Sequence, residues 1–387
     1  MSEKKHINKR AFLKKSFLGI TGIILGNKLS GNILSTNPSS MDTFSSSTNT
    51  DKNTREAMHY KVVANGVQCE LCPNLCILKE GKTGLCRTRF NKVGKLYTMA
   101  FGNPCAINSD PIEKKPLYHF YPASRAFSIA TAGCNLTCLN CQNWDISQVS
   151  PKETRNYNLP PAKVVSEALA NNCKSIAYTY AEPIAFYEYV YETAKLAHEK
   201  GIKNVFISNG YINEKPLRDI AKYLDAANIN LKAFDDDTYK KLNGGTLQPI
   251  LNTLKILKEE KVWLEITNLI IPSWTDKPDM IKKMCDWLYK NNLHEYPLHF
   301  SKFVPLYKLT HLPITPVATL EKAKEIALKA GIKYVYIGNV PGNEAENTFC
   351  PKCKKKIIER KGYKISLNNI KENKCTSCGE KISGIWG

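Results

Sequence analysis

The sequence predicts an α/β protein whose centre is a partial (β/α)6-type barrel, flanked by an N-terminal and a C-terminal cysteine-rich metal-binding module. Apolar strand-like segments alternate with helix-like segments across residues 116–345. Polar turns that contain glycine or proline follow several of the strands, as a ligand-binding rim requires. The 387 residues are enough for one large barrel and small appended modules.

Repeated strand–helix units predict parallel strands joined by right-handed crossovers. The strands are predicted at Phe127–Thr131, Ser175–Tyr180, Asn204–Ser208, Ile229–Phe234, Val262–Ile271, Leu298–Phe303 and Tyr334–Gly338. Helices with an apolar spacing near 3.6 residues are predicted at Pro161–Asn171, Ile184–Lys200, Pro216–Ala227, Leu247–Glu260, Pro278–Asn292 and Leu320–Ala330. Catalytic groups of such barrels lie at the carboxyl ends of the strands, so the turns after these strands should line one mouth.

Composition shifts divide the chain into five parts. These are a leader (1–30), a flexible linker rich in Ser, Thr and Asn (31–56), an N-terminal cysteine module (57–115), the barrel (116–345) and a C-terminal module that resembles a zinc ribbon (346–387). The leader resembles a twin-arginine export signal with Lys9 in the first arginine position, and the alternative is a plain basic leader. No segment is long and apolar enough to predict a transmembrane helix.

The chain is basic and rich in cysteine. Lys and Arg number 55 against 35 Asp and Glu, which gives a formal charge of +20, but the positive residues are dispersed rather than gathered in one patch. The 14 cysteines fall mostly in groups with metal-ligand spacing, which indicates metals in a reducing compartment rather than disulfides. No nucleic-acid partner is expected.

The most informative motif is a C-x3-C-x2-C sequence formed by Cys134, Cys138 and Cys141, directly after the first predicted barrel strand. Three thiolates can hold three irons of a [4Fe–4S] cluster and leave the fourth iron open to a small molecule, whereas clusters for electron transfer usually take four cysteines. Zinc is the alternative, but it needs a fourth ligand, and no Cys or His follows Cys141 before Cys173.

Several longer strings join this motif in resembling a known family. They include Cys69-x2-Cys72-Pro-x2-Cys76, the segment from Gly133 to Trp144, and Thr179-Tyr-x-Glu-Pro183. The chain resembles the radical S-adenosylmethionine (SAM) superfamily, and within it the radical SAM enzyme of the AmmeMemoRadiSam system, which is related to the activating enzymes of pyruvate formate-lyase. Asn140 departs from the pattern of the superfamily, which usually has an aromatic residue just before the third cysteine.

The resemblance implies an activity and its cofactors. It implies that a [4Fe–4S] cluster reductively cleaves SAM to a 5′-deoxyadenosyl radical, which abstracts hydrogen from a substrate that the sequence does not identify. Glu182 should accept the methionine amine of SAM, and Lys232 should pair with its carboxylate or a ribose oxygen. The residues expected to bind SAM are Thr179, Tyr180, Glu182, Asn209, Asn230, Lys232 and His299. No residue is assigned to hydrogen transfer itself.

Two further cysteine groups flank the barrel. The C-terminal cysteine group (Cys350, Cys353, Cys375 and Cys378) is predicted to hold one structural zinc, with iron in the same cage as the alternative. The spacing of the N-terminal cysteine group leaves zinc and a second iron–sulfur cluster equally open; it comprises Cys69, Cys72, Cys76 and Cys86. The isolated Cys173 and Cys285 are predicted to be buried apolar residues.

Three functional classes compete on these observations. The favoured class is a radical SAM enzyme, with a glycyl-radical-enzyme activase as its variant. A zinc-containing nucleic-acid-binding protein would need basic and aromatic residues clustered near the ribbon, and a multi-cluster electron carrier would need four ligands at each site. The expected partners are a low-potential donor such as flavodoxin or ferredoxin, and either companion proteins of the AmmeMemoRadiSam set or a glycyl-radical protein. This chemistry favours a cytoplasmic protein, while the leader leaves export or membrane association open.

Overall fold

A computed structural model describes residues 52–387. The predicted leader lies outside the described residues, as does the predicted linker up to residue 51. The first described elements are six short strands, which form two three-stranded antiparallel sheets with the orders β1-β6-β5 and β2-β3-β4. Their bounds are β1 Arg55–Glu56, β2 Tyr60–Val63, β3 Gly66–Cys69, β4 Ile77–Leu78, β5 Arg89–Lys92 and β6 Lys95–Thr98.

The centre of the fold is an open eight-stranded sheet with the order β14-β13-β12-β11-β10-β9-β8-β7. Its strands are β7 Ala106–Pro111, β8 Arg125–Ala130, β9 Ser175–Tyr178, β10 Lys203–Ser208, β11 Ala226–Asn230, β12 Trp263–Ile270, β13 Leu298–Lys302 and β14 Val335–Gly338. Strands β8 to β14 are parallel, which confirms the predicted partial barrel. Strand β7 is antiparallel to β8 and was not predicted, because its polar residues and terminal proline lack the apolar run that marks the other strands.

Helices connect the parallel strands and cover one side of the sheet. They are α1 Trp144–Ser147, α2 Pro161–Ala170, α3 Tyr187–Glu199, α4 Glu214–Ala221, α5 Asp236–Thr238, α6 Leu247–Glu259, α7 Pro278–Lys290 and α8 Val317–Lys329. The predicted helix Pro216–Ala227 corresponds to α4, which ends at Ala221. Its predicted continuation to Ala227 is wrong, because Ala226 and Ala227 belong to β11 and pair with Val205 and Phe206 of β10. Within residues 52–387, no helix has the length and apolar character needed to cross a membrane.

The connector between β7 and β8 closes the amino-terminal end of the barrel. The carboxylate of Glu265, a fully buried residue of β12, accepts hydrogen bonds from the backbone N–H groups of Tyr118 and His119 at 3.0 and 2.7 Å. His299 Nε2 lies 2.6 Å from the same carboxylate. These contacts lie near the first residues of β12 and β13, so the buried polar network marks the base of the barrel.

The C-terminal module packs against this base. Its strands are β15 Thr348–Phe349, β16 Lys356–Lys361, β17 Lys364–Asn368, β18 Ile370–Lys371 and β19 Lys374–Cys375. Arg360 of β16 is 2 % exposed, donates to the Tyr118 carbonyl at 2.8 Å and lies over the Tyr118 ring. His119 contacts the Ser383 carbonyl through Nδ1 at 2.6 Å, and its own carbonyl accepts from Ile385 N. The ribbon therefore covers the barrel end opposite to the carboxyl ends of the strands.

Candidate active site

The central cysteine loop (residues 131–143) leaves the carboxyl end of β8, where the active site of a barrel is expected. Cys134 and Cys138 are buried and Cys141 is half-buried. Near the start of the loop, Gly133 has a φ of +107°, and a Cβ added there would lie 2.5 Å from Thr88 Cγ2. Only glycine allows the chain to pass so close to the N-terminal module at this point.

A second segment supports the loop from the side. Residues 239–243 form a single π-helical turn after α5, and their carbonyls receive backbone hydrogen bonds from the loop: Thr137 N donates to Asn243 O and Leu139 N to Leu242 O, both at 2.9 Å. Asn243 Nδ2 also donates to Cys138 Sγ at 3.2 Å. π-helical turns often occur at functional sites, and this one fixes the position of the second cysteine.

Glu182 follows β9 and is buried beside Cys134. Its Oε1 accepts from Ser208 Oγ at 2.6 Å and from Ile184 N at 3.2 Å, and its Oε2 accepts from Asn209 N at 2.8 Å. Burial raises the pKa of Glu182 to about 7, although these hydrogen bonds and the charge of Lys232 act in the opposite direction. A carboxylate has about four lone-pair positions, so three bonds leave one acceptor position on Oε2.

Asn209, at the end of β10, connects the candidate groups. Its Nδ2 donates to Asn135 Oδ1 at 2.9 Å and lies 3.8 Å from Cys134 Sγ. Its Oδ1 accepts from Tyr211 N at 2.8 Å. Every polar atom of this side chain is thus used to hold the loop around Cys134, which makes Asn209 a positioning residue in this structure.

Lys232 and Asn230 lie at the carboxyl end of β11. Lys232 is half-buried, and within residues 52–387 its ammonium has no hydrogen-bond or ion-pair partner. Its positive charge acts to lower the pKa of both Cys141 and Glu182, which indicates that the ammonium lies near these two residues. Asn230 Nδ2 makes a long bond of 3.3 Å to the Ser208 carbonyl. The free ammonium therefore offers the site a cation for an anionic group of a ligand.

The remaining predicted SAM contacts are placed differently. Thr179 is buried, and its N–H donates to Ile129 O at 3.1 Å, next to the cysteine loop. The Tyr180 carbonyl accepts from Asn143 Nδ2 at 2.6 Å, but its hydroxyl is directed to Asp110. His299 lies near the amino-terminal end of β13 and is engaged by Glu265 at the base. The structure does not bring His299 together with the other candidate residues.

The central loop offers three thiol ligands, one fewer than a closed tetrahedral metal site takes. Burial and the neighbouring Glu182 carboxylate raise the pKa of Cys134, and burial raises that of Cys141, so these thiols ionise readily only beside a cationic metal. Asn140 Oδ1 is buried without a hydrogen-bond partner in the described part of the chain. It is a polar atom available to a ligand directly before Cys141.

The C-terminal cysteine group forms a different kind of centre. All four sulfurs lie within 4.8 Å of one another, with Cys350 and Cys378 at 3.5 Å and Cys353 and Cys375 at 3.8 Å. A tetrahedral site with Zn–S bonds of about 2.3 Å needs sulfurs about 3.8 Å apart. These residues could therefore hold one metal ion, and the group has no open position for chemistry. Cys173 and Cys285 are buried, as predicted.

Sequence reasoning missed several residues that shape the site, namely Asn135, Asn143, Asn243 and Gly244. Each is a turn-forming residue type, and its role depends on a hydrogen bond or close approach to a distant segment. The available signal was the position of Asn135 and Asn143 inside and just after the cysteine motif. Nothing in the local sequence marks Asn243.

Comparisons with known proteins agree with this geometry. Residues 128–288 match the model of the radical SAM superfamily. An uncharacterized protein of Methanocaldococcus jannaschii is 46% identical over 331 residues, covering 85% of this chain and 98% of that protein. The 4-hydroxyphenylacetate decarboxylase activating enzyme of Clostridium scatologenes is 23% identical, over 42% of this chain and 55% of that enzyme. The pyruvate formate-lyase-activating enzyme of Staphylococcus aureus is also 23% identical, over 56% of this chain and 90% of that enzyme.

Proposed function

The chain belongs to the radical SAM superfamily of enzymes, and we propose that Cys134, Cys138 and Cys141 are the ligands of its [4Fe–4S] cluster. In this superfamily the cluster supplies an open iron for the methionine end of SAM and the electron that cleaves SAM. The observation that carries the proposal is the placement of three cysteines, two of them buried, on one loop at the carboxyl end of β8. The substrate of hydrogen abstraction is not identified.

The chain's own residues provide both charges that the methionine end of SAM needs. Glu182 keeps one acceptor position beside Cys134 for an ammonium group, and the partnerless ammonium of Lys232 can pair with a carboxylate. Thr179, Asn230 and the Tyr180 backbone border the same space, and Asn209 holds the loop in place. We do not extend the proposal to His299, because its ring is used at the barrel base.

The direct test is the Cys138→Ala variant of anaerobically reconstituted full-length protein. It should form no 5′-deoxyadenosine from SAM and dithionite, because the cluster loses one of three protein ligands. Cys285→Ala is the matched control, since Cys285 is a buried cysteine far from the loop in sequence and should keep the activity. Full 5′-deoxyadenosine formation by Cys138→Ala would refute the assignment.

The finer assignment that we propose is membership of the AmmeMemoRadiSam system. It is supported by the motifs shared over most of residues 60–387, and it predicts association with companion proteins of that set. The second candidate is activation of a glycyl-radical protein, which the names of two similar enzymes favour. Incubating the reduced enzyme and SAM with a glycyl-radical protein separates the two, because only an activase produces a glycyl-radical EPR signal.

The proposal extends to the second metal, the electron donor and the cellular location. We propose that the C-terminal cysteine group holds a structural zinc and that the chain works beside a low-potential donor such as flavodoxin or ferredoxin. A cytoplasmic location suits both SAM and that donor. Cell fractionation of the full chain tests the location, because a functional leader would place it outside the cytoplasm.

A further inference from the structure

The N-terminal cysteine group surrounds a cavity next to the central cysteine loop. Cys69, Cys72, Cys76 and Cys86 all line it, together with Arg89 and Asn135. Four sulfur ligands thus face one space, although only Cys69 lies in a strand, β3, and the other three cysteines lie in the turns and loops that follow it. A shared cavity is what a common cofactor requires, and it is not expected of cysteines that serve only as small apolar residues.

The spacing of the sulfurs separates this group from the zinc-like C-terminal group. Within residues 52–387, the C-terminal group is the one set of three or more His, Cys, Asp or Glu side chains whose ligand atoms all lie within 4.8 Å of one another. No three sulfurs of the N-terminal cysteine group meet this distance. A single tetrahedral zinc needs sulfurs about 3.8 Å apart, whereas an iron–sulfur cluster distributes its cysteines over two or more iron atoms and so suits the wider spacing.

The polar contacts of the cavity also suit a cluster. Arg89 is 1 % exposed, and its Nη1 donates to Cys69 Sγ at 3.2 Å. Thr88 Oγ1 lies 3.2 Å from Cys86 Sγ. Hydrogen bonds to the sulfurs and nearby charge are the features by which a protein sets the reduction potential of an iron–sulfur cluster. The buried Glu188 forms an ion pair with Arg89, which keeps the guanidinium in place beside the sulfurs.

The cavity is in direct contact with the central loop. Asn135, the residue after Cys134, lines it, and Asn74 Nδ2 donates to the Asn135 carbonyl at 2.8 Å. On the other side, a Cβ on Gly133 would lie only 2.6 Å from the carbonyl oxygen of Cys86. One residue on each side of Cys134 therefore touches the N-terminal group.

The outer side of the same group reaches the surface. Cys76 and Cys86 are half-buried, and the apolar side chains next to them are exposed: Leu75 is 45%, Ile77 58% and Leu85 42% exposed. Lys79 and Lys82 are also exposed close by in sequence. The group thus has one side toward the central loop and one side that an external protein can approach.

We propose that Cys69, Cys72, Cys76 and Cys86 hold a second iron–sulfur cluster, and that it passes single electrons to the site at Cys134, Cys138 and Cys141. An external low-potential protein of the flavodoxin or ferredoxin class is oxidised by one electron, and the second cluster is reduced and then reoxidised by the central site. The electron finally passes to the sulfonium group of SAM, whose S–C5′ bond breaks to give methionine and the 5′-deoxyadenosyl radical. The relay rests on the proposed function, whereas the identity of the cofactor does not.

Metal analysis of anaerobically reconstituted full-length protein tests the cofactor. The triple variant Cys69→Ser, Cys72→Ser, Cys76→Ser should lose about two or about four iron atoms per chain together with equal sulfide, and it should keep its zinc. The double variant Cys173→Ser, Cys285→Ser is the matched control and should keep all metals. Loss of zinc with unchanged iron would overturn the assignment.

Spectroscopy of the unmodified protein covers the case in which the triple variant does not fold. EPR or Mössbauer spectra of the reduced protein should show two clusters, of which only one changes when SAM is added. A single cluster that responds completely to SAM would overturn the proposal without any variant.

The relay is tested by changing the reductant. The triple variant should lose most 5′-deoxyadenosine formation with reduced flavodoxin but retain it with dithionite, a small reductant that can reach the central site directly. Equal rates for the variant and the unmodified protein with flavodoxin would overturn the relay. Failure of the proposed function would look different, because Cys138→Ala would then keep its SAM cleavage.

Discussion

Gly244 offers a sharp test of how the central cysteine loop is supported. Its φ is +73°, and a Cβ added there would lie 2.2 Å from Thr137 Oγ1, between Cys134 and Cys138 in sequence. Gly201 has nearly the same φ, +72°, but a Cβ there would meet nothing within 4 Å. The two glycines share a left-handed backbone conformation. They differ in that only Gly244 lies so close to Thr137 of the central cysteine loop that a side chain would collide with it.

The expected effects follow from that difference. Gly201→Ala should cost about 1–2 kcal/mol of stability through the left-handed backbone alone. Gly244→Ala should cost this amount and about 1–3 kcal/mol more for the forced displacement of Thr137. Thr137 is β-branched, so one of its two alternative χ1 rotamers turns the methyl group toward the added Cβ and only the other turns a hydrogen there.

The assay measures thermal unfolding and iron content of the reconstituted variants side by side. Gly244→Ala should melt lower than Gly201→Ala and bind less iron, because Thr137 carries the cysteine loop with it. Adding Thr137→Ala should restore the iron content and bring the melting temperature back to that of Gly201→Ala, because only the backbone strain remains and the nearest atom, Thr137 Cβ, is 3.5 Å away. Identical melting and iron content for the two single glycine variants would show that the close approach does not support the loop.

Three further predictions concern SAM binding, pH and zinc. Glu182→Gln and Lys232→Met should keep the iron–sulfur absorbance but weaken SAM binding by roughly 1.5–3 kcal/mol each, the value of a charged hydrogen bond; unchanged affinity in titrations of both would show that the SAM site is misplaced. Burial lowers the pKa of His119 to about 4 from 6.5. As the pH falls, His119 is protonated in the unfolded chain at a higher pH than in the folded protein, and this favours unfolding. The free energy of unfolding should therefore decrease by about 3 kcal/mol between about pH 6.5 and pH 4. Urea unfolding should show a weaker pH dependence in His119→Gln but not in the exposed-site control His311→Gln. Elemental analysis should find one zinc that depends on the C-terminal cysteine group, and iron in its place would make that group redox-active rather than structural.

Much of the barrel could be predicted because its strands are buried on both faces and read as apolar runs. Strand β7 could not, since it is an edge strand with a polar sequence, and its pairing with β8 depends on a contact between chain segments. The end of α4 was misplaced because Ala226 and Ala227 suit a helix as well as a strand. Their pairing partners in β10 decide between the two.

In the candidate site, too, local sequence patterns predicted some residues, whereas others depend on contacts between distant segments. The three cysteines were predicted as ligands because metal ligands recur at fixed spacing. Lys232 was predicted because it stands in a motif of the family that the chain resembles, at a strand end where lysine is rarely placed without a partner. His299 was expected at the mouth, since sequence alternation gives the face of a strand but not the depth of a residue along it. Its partner Glu265 lies 34 residues earlier in the chain, and only folding reveals it.

The docking of the ribbon on the barrel base has a consequence for biosynthesis. His119 and Ser383 are separated by 264 residues in the chain, and Tyr118 and Arg360 by 242. On the ribosome, the seven parallel strands and the β7–β8 connector can assemble before these contacts exist, so His119 and Tyr118 lack their partners in the C-terminal module until the last residues have emerged. Contacts of such long sequence separation form slowly because a large loop must close first. Docking of the C-terminal module on the barrel base is therefore a late, post-translational step. A chain that lacks even its last few residues leaves the ribosome with part of this base uncovered.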